Sequence, residues 1–251
     1  MFRLVGFYES QDGGGAIHNV AAIQDPSINT QGDDVRVPRD TPNIIGKACL
    51  SAATGALTSA NLDSPSLRRV VSPDIEPLVN ALVFGSPPES IMHPMNPTPV
   101  MGDESLNFQI NSDHASAIGE YGLVWFSDGP QQPVSGQIYT VRATTAITLS
   151  AGTWVNGSLT FTQTLPVSEY EIVGMRARGT NLVAARLVFT DQSHRPGVPA
   201  VNAIGDRDLS VFRYGRLGSF GRFHSTTPPT VDALGVTDSA QTLLLDLVKL
   251  N

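Results

Sequence analysis

The chain has 251 residues, a hydrophobic content of 41%, a mean hydropathy of -0.02 and a formal net charge of -7. That size buries a real core in one large β-domain or two modest ones, and the composition excludes disorder of the whole chain. Fourteen of the sixteen basic residues are Arg, Lys47 and Lys249 being the exceptions, and no strongly basic arm is present, which disfavours nucleic-acid binding through a flexible cationic tail.

In chain order, the first strand candidates are residues 2–9, 16–24, 43–50 and 67–71, separated by turn-rich stretches at 12–15 and 29–42. A helical alternative competes at residues 72–76. There Ser72 could cap, Pro73 could take the first helical position, and Ile75, Leu78, Val79 and Leu82 share a face. Pro87, Pro88, Pro94, Pro97 and Pro99 then remove ladder donors and predict a linker. This divides the chain into an N-terminal β-rich part, residues 1–99, and a C-terminal domain, residues 100–251.

Beyond the linker, strands are predicted at 105–110, 121–127, 137–150, 157–165, 170–178, 182–189, 209–214 and 242–248. Residues 138–151 alternate most cleanly. Tyr139, Val141, Ala143, Ile147 and Leu149 fall on one face, Thr140, Arg142, Thr144, Thr148 and Ser150 on the other. Eight antiparallel strands without helical periods between them predict an all-β fold of two sandwiches, the second an eight-stranded jelly roll. The alternative is a single jelly roll with an elaborated N-terminal part.

Residues that could do chemistry are scattered. G-x-S-x-G, H-E-x-x-H, C-x-x-C and phosphate-loop patterns are missing. His18, His93, His114, His194 and His224 do not pair at ligand spacing, and Cys49 is the sole cysteine. Glu169 and Glu171 leave the same strand face, which reads as a solvated face rather than the two-strand carboxylate pair of glycoside hydrolysis. Asp206-Arg207-Asp208 offers oxygen ligands to calcium, but the Arg between them favours a salt-bridged turn. Trp125 and Trp154 read as core. The sequence thus predicts no enzyme and no cofactor.

Charge is uneven. Up to Glu104 there are six basic and twelve acidic residues, and after it ten and eleven. Within the second part, residues 195–224 hold five Arg and two Asp, and residues 212–224 alternate Arg, aromatics and Gly. Such a pattern could stack on single-stranded nucleic acid. It more closely fits the Arg and aromatic composition of subunit contacts. Arg207, Arg213, Tyr214, Arg216, Phe220, Arg222 and Phe223 are therefore the candidate subunit interface.

The first nine residues are apolar over too short a stretch for a signal peptide and read as a strand. No window approaches 18 consecutive apolar residues, so no transmembrane segment is expected.

In outline, two β-rich parts about a Pro-rich stretch, with an eight-stranded second part, the chain resembles the double jelly-roll major capsid proteins of tailless icosahedral bacteriophages. The resemblance is architectural, covers the whole chain loosely, and is better over residues 105–251 than over 1–99. It implies a structural virion protein that self-assembles as homotrimeric capsomers of an icosahedral shell, alongside other virion proteins, built in the host cytoplasm. A β-sandwich carbohydrate-binding module and a viral spike or receptor-binding protein are the alternatives.

Overall fold

The computed structural model describes residues 1–11, 16–52, 57–68, 74–75, 92–112, 116–201, 210–237 and 240–250. Its first elements are β1 (Phe2–Gln11), β2 (Ile17–Val20), β3 (Thr30–Gln31), β4 (Asp34–Arg36), β5 (Asn43–Ser51), β6 (Leu57–Asp63), the one-turn helix α1 (Pro65–Arg68), β7 (Asp74–Ile75), β8 (Thr98–Pro99), β9 (Ser105–Ser112) and β10 (Ile118–Ser127). They are followed by β11 (Ile138–Thr145), β12 (Val155–Ser158), β13 (Thr160–Phe161), β14 (Glu169–Arg178), β15 (Leu182–Val188), β16 (Gly197–Val201), a 3-10 turn (Ser210–Phe212), β17 (Gly221–His224), β18 (Thr230–Gly235) and β19 (Gln241–Leu250). The protein is all-β, as its period-2 patterning dictates.

The strands form three layers. A four-stranded sheet, β1-β10-β5-β8, lies in the middle. On one side Val5, Phe7, Ile44, Cys49, Val124 and Phe126 pack against a six-stranded sheet, β3-β4-β9-β6-β7 with β2 on β9. The other side presents Phe2, Leu4, Ala48, Leu50, Tyr121, Leu123 and Trp125 to the larger core of residues 138–250. A sheet buried on both faces needs apolar residues at consecutive positions, not alternate ones. This is why β10 runs Tyr-Gly-Leu-Val-Trp-Phe without a break and is buried throughout that run.

The third layer is a nine-stranded sheet ordered β12-β18-β15-β16-β14-β19-β11-β13, with β17 also on β14. Only Leu159 separates β12 from β13, yet these two lie at opposite ends of that order. The sheet therefore curls into a nearly closed barrel, whose interior is filled by residues such as Val141, Ala143, Ile172, Met175, Leu187, Leu243, Leu245 and Leu247. One edge of β14 takes β19 along its length; the other takes β17 at its start and β16, in parallel, at its end.

Several expectations are corrected. The boundary at residues 99 and 100 cuts across the pairing. β9 and β10 join strands of the N-terminal part, with all ten residues of β1 paired to β10. The described end of the Pro-rich stretch does not act as a linker but edges the middle sheet: Thr98 and Pro99 pair with β5, and the His93 amide donates to Ile45 O at 2.7 Å. Prolines suit such an edge, where one row of donors has no strand to reach.

Residues 65–68 are helical because Ser64 caps, its hydroxyl accepting the Leu67 amide, and Pro65 takes the first position. Residues 69–71 of that expected strand lie outside the described residues. So does the competing helix at 72–76, apart from Asp74 and Ile75, which form β7. The segment expected as a strand at 209–214 contains the 3-10 turn. β11 stops at Thr145, and Tyr139 is 47% exposed rather than core-facing, while Val141, Ala143, Ile147 and Leu149 are buried. β16, β17 and β18 were not expected; they are short, and Pro199 and the surrounding turns mask their alternation.

Candidate functional site

The Arg and aromatic segment folds over the outer side of the barrel, and a buried carboxylate organises it. Leu243, Leu245 and Leu247 of β19 point into the barrel, so Asp246 points outward. It is nevertheless 0% exposed, because the chain at 213–215 crosses above it. Arg213 makes a two-pronged contact with Asp246, Nε to Oδ2 at 2.7 Å and Nη2 to Oδ1 at 2.9 Å. Thr140 Oγ1 donates at 2.7 Å and the Tyr214 amide at 2.9 Å. Burial opposes ionisation of Asp246, but these donors outweigh it and hold the carboxyl below its ordinary range.

Local backbone geometry makes room for this arrangement. A bulge between Ile172 and Gly174 places Gly174 opposite Asp246. A Cβ at Gly174 would lie 2.3 Å from Asp246 Oδ2 and 2.9 Å from the Tyr214 nitrogen. Gly215, at φ +75, donates to Val173 O at 2.7 Å and accepts from the Val134 amide at 2.8 Å. Tyr214 itself has φ 55, a left-handed conformation uncommon outside Gly and Asn. Its side chain is 52% exposed, with the Arg213 guanidinium 4.6 Å from its ring.

The candidate interface residues separate into two groups. Arg213, Phe220 and Phe223 are buried within the chain and are corrected as surface contacts. Phe220 packs edge-on against Phe2 at 4.9 Å, and Phe223 stacks with Tyr170 at 5.7 Å and with Phe161 at 6.1 Å. Tyr214, Arg216 and Arg222 are exposed. Arg222 reaches Glu171 at 3.3 Å across the β14 and β17 pair. Arg207, with Asp206 and Asp208, lies outside the described residues.

The other sequence candidates are placed apart. Glu169 and Glu171 do share the outward side of β14, opposite His224 and Arg222, with Glu171 engaged by Arg222. His18 meets Glu120 at 3.1 Å, His194 contacts Phe220 O and stacks on Phe189, and His224 Nδ1 lies 2.6 Å from Thr226 Oγ1. His114 is outside the described residues. Among the described residues no three His, Cys, Asp or Glu side chains converge as metal ligands. Trp125 is fully buried with Nε1 donating to Gly197 O at 2.8 Å, and Trp154 is partly buried beneath Arg186 at 4.2 Å. Trp125 therefore presents no ring to solvent.

A second buried ionic centre was missed by sequence reasoning. Arg186, 1% exposed, contacts Asp25 from the N-terminal part and Asp232 of β18 at 2.9 Å, and donates to Leu4 O at 3.2 Å. A signal existed: Arg186 and Asp246 are each a single charge inside an otherwise apolar strand, Leu-Val-Ala-Ala-Arg-Leu-Val and Leu-Leu-Leu-Asp-Leu-Val. No family model, curated protein or solved structure matches this chain.

Proposed function

We propose that this is a structural virion protein that associates with copies of itself, a major capsid protein whose unit is a homotrimeric capsomer. The supporting observation is the exposure of Tyr214, Arg216 and Arg222, Tyr214 being fixed by the buried Arg213 and Asp246 pair and Arg222 by Glu171. Tyr and Arg are the side chains that protein interfaces concentrate, and a preorganised base lowers the ordering cost of contact. The three-layer all-β body, its shape set by buried sheets, is compatible with the same reading. The trimer, the shell and the other virion proteins as partners rest on the architectural resemblance alone.

Purified protein examined by light scattering and electron microscopy tests this. Trimers or larger lattices are expected, and Tyr214→Ala with Arg216→Ala should weaken association at least tenfold while leaving the unfolding midpoint in place. A monomer at all concentrations, or association indifferent to both substitutions, rejects the reading.

A further inference from the structure

The region where the 25–40 segment approaches the turn before β16 contains a cavity of about 570 Å³ whose wall includes Arg3, Arg36 and Arg39, the carboxylates Asp40 and Asp103, and the polar side chains of Ser27, Asn29 and Ser193. That volume lies within the range of small-ligand pockets. Three guanidinium groups against two carboxylates leave this wall one positive charge in excess, in a chain whose net charge is -7 and whose first 104 residues are the more acidic part. Two of them have carboxylate partners, Arg3 with Asp40 and Arg39 with Asp103. The third differs: Arg36 donates to the neutral Gln31 side chain at 2.8 Å, and among the described residues no carboxylate pairs with it.

Arg3 is built into the wall. It projects from the middle sheet with its side chain only 3% exposed, and Nη1 donates to Ser27 O at 3.2 Å. Its Nε is buried without a hydrogen-bond partner, so the group is incompletely satisfied. Burial lowers the Arg3 pKa, while Asp40 and Asp25 favour its charged form more than Arg195 opposes it. Arg3 is thus a fixed guanidinium whose fork is engaged by Ser27 O and Asp40, whereas Arg36 is the guanidinium at this wall with no carboxylate partner among the described residues and suits an oxyanion.

We propose that this cavity binds a small organic anion, a molecule bearing a phosphate or carboxylate group, with Arg36 as its main counter-charge and Arg3 and the neighbouring hydroxyl and amide side chains orienting it. The site is separate from Tyr214, Arg216 and Arg222, and its proposal does not depend on self-association. An anion seated there would join the N-terminal segment to the turn at Ser193.

Calorimetric titration at low ionic strength, with glucose 6-phosphate, glucuronate, inorganic phosphate and neutral glucose as probes, tests the assignment. Binding of glucose 6-phosphate or glucuronate is expected, with glucose silent. The two anions distinguish phosphate from carboxylate as the recognised group, and inorganic phosphate shows whether the oxyanion alone suffices. Arg36→Gln should weaken the bound anion at least about tenfold, the loss of one charged hydrogen-bonded contact. Arg36→Lys should fall between, and Arg142→Gln on the barrel's outer side should bind as the parent does. Thermal unfolding of each variant establishes that it folds. No anion bound at millimolar concentration, or Arg36→Gln binding with parental affinity, overturns the proposal, whatever the association state.

Discussion

Asp246 accepts four hydrogen bonds while sealed from solvent, so its removal strands a cation as well as breaking a contact. Asp246→Ala leaves the Arg213 guanidinium buried beside an empty space, and the expected loss is about 3–5 kcal/mol in urea unfolding. A loss under about 1 kcal/mol, the value of an exposed pair, would show that Arg213 escapes to water. The carboxyl also sets an acid limit. Its folded pKa is depressed, so its contribution is complete above the unfolded value of about 3.9 and is lost as pH falls through the lower folded value. Asp25, held down against its burial by Arg186 and by Ser27, acts in the same direction. Unfolding free energy measured from about pH 6 down to about pH 2 should therefore fall steeply at the acid end, and Asp246→Asn should flatten that fall.

At the level of the strand, β14 depends on an irregularity. The bulge after Ile172 lets Tyr170, Ile172 and Met175 all face the barrel interior while Gly174 sits under the crossing segment. Gly174→Ala introduces a methyl into a carboxylate and a backbone nitrogen, neither of which can withdraw without breaking the hydrogen bond between them. A cost of about 1–3 kcal/mol is expected, typical of overpacking, together with displacement of Tyr214. An unchanged melting temperature and unchanged Tyr214 fluorescence would show that the segment has room to lift. β1 and β10 obey a different constraint. Both of their faces are buried, so their composition is set by two cores at once, and Gly122 lies against the Phe108 ring because no larger side chain fits between the sheets.

For the molecule as a whole, the middle sheet is shared by the two cores, so they are expected to unfold together. Separating them would expose Phe2, Leu4, Leu50, Leu123 and Trp125 together, and burial of side chains of that size is worth about 1.5–3 kcal/mol each. Arg186 adds an ionic link across the same boundary. A single calorimetric transition is expected, with equal calorimetric and van't Hoff enthalpies. Two resolved transitions would mean that the middle sheet belongs energetically to one side only. Arg186→Met should lower stability by about 3–5 kcal/mol by leaving Asp25 and Asp232 facing each other without their cation.

How far the sequence reached can be read from individual residues. Alternation and turn residues are local, period-2 properties, and they were enough to establish an all-β chain and to locate β1, β5, β9, β14, β15 and β19. The single charges in apolar strands were equally visible, though their meaning was not. Arg186 and Asp25 are 161 positions apart, and Arg213 and Asp246 are 33 apart, so no local pattern connects them. Strand pairing is equally non-local, which is why β9 and β10, which follow the Pro-rich stretch in sequence, were grouped with the C-terminal domain although they pair with β6 and β1. The same limit divided the Arg and aromatic segment. Its residue types were plain from the start, but only the tertiary structure decided that Phe220, Phe223 and Arg213 turn inward, because burial is a property of what packs above a residue and not of the residue itself.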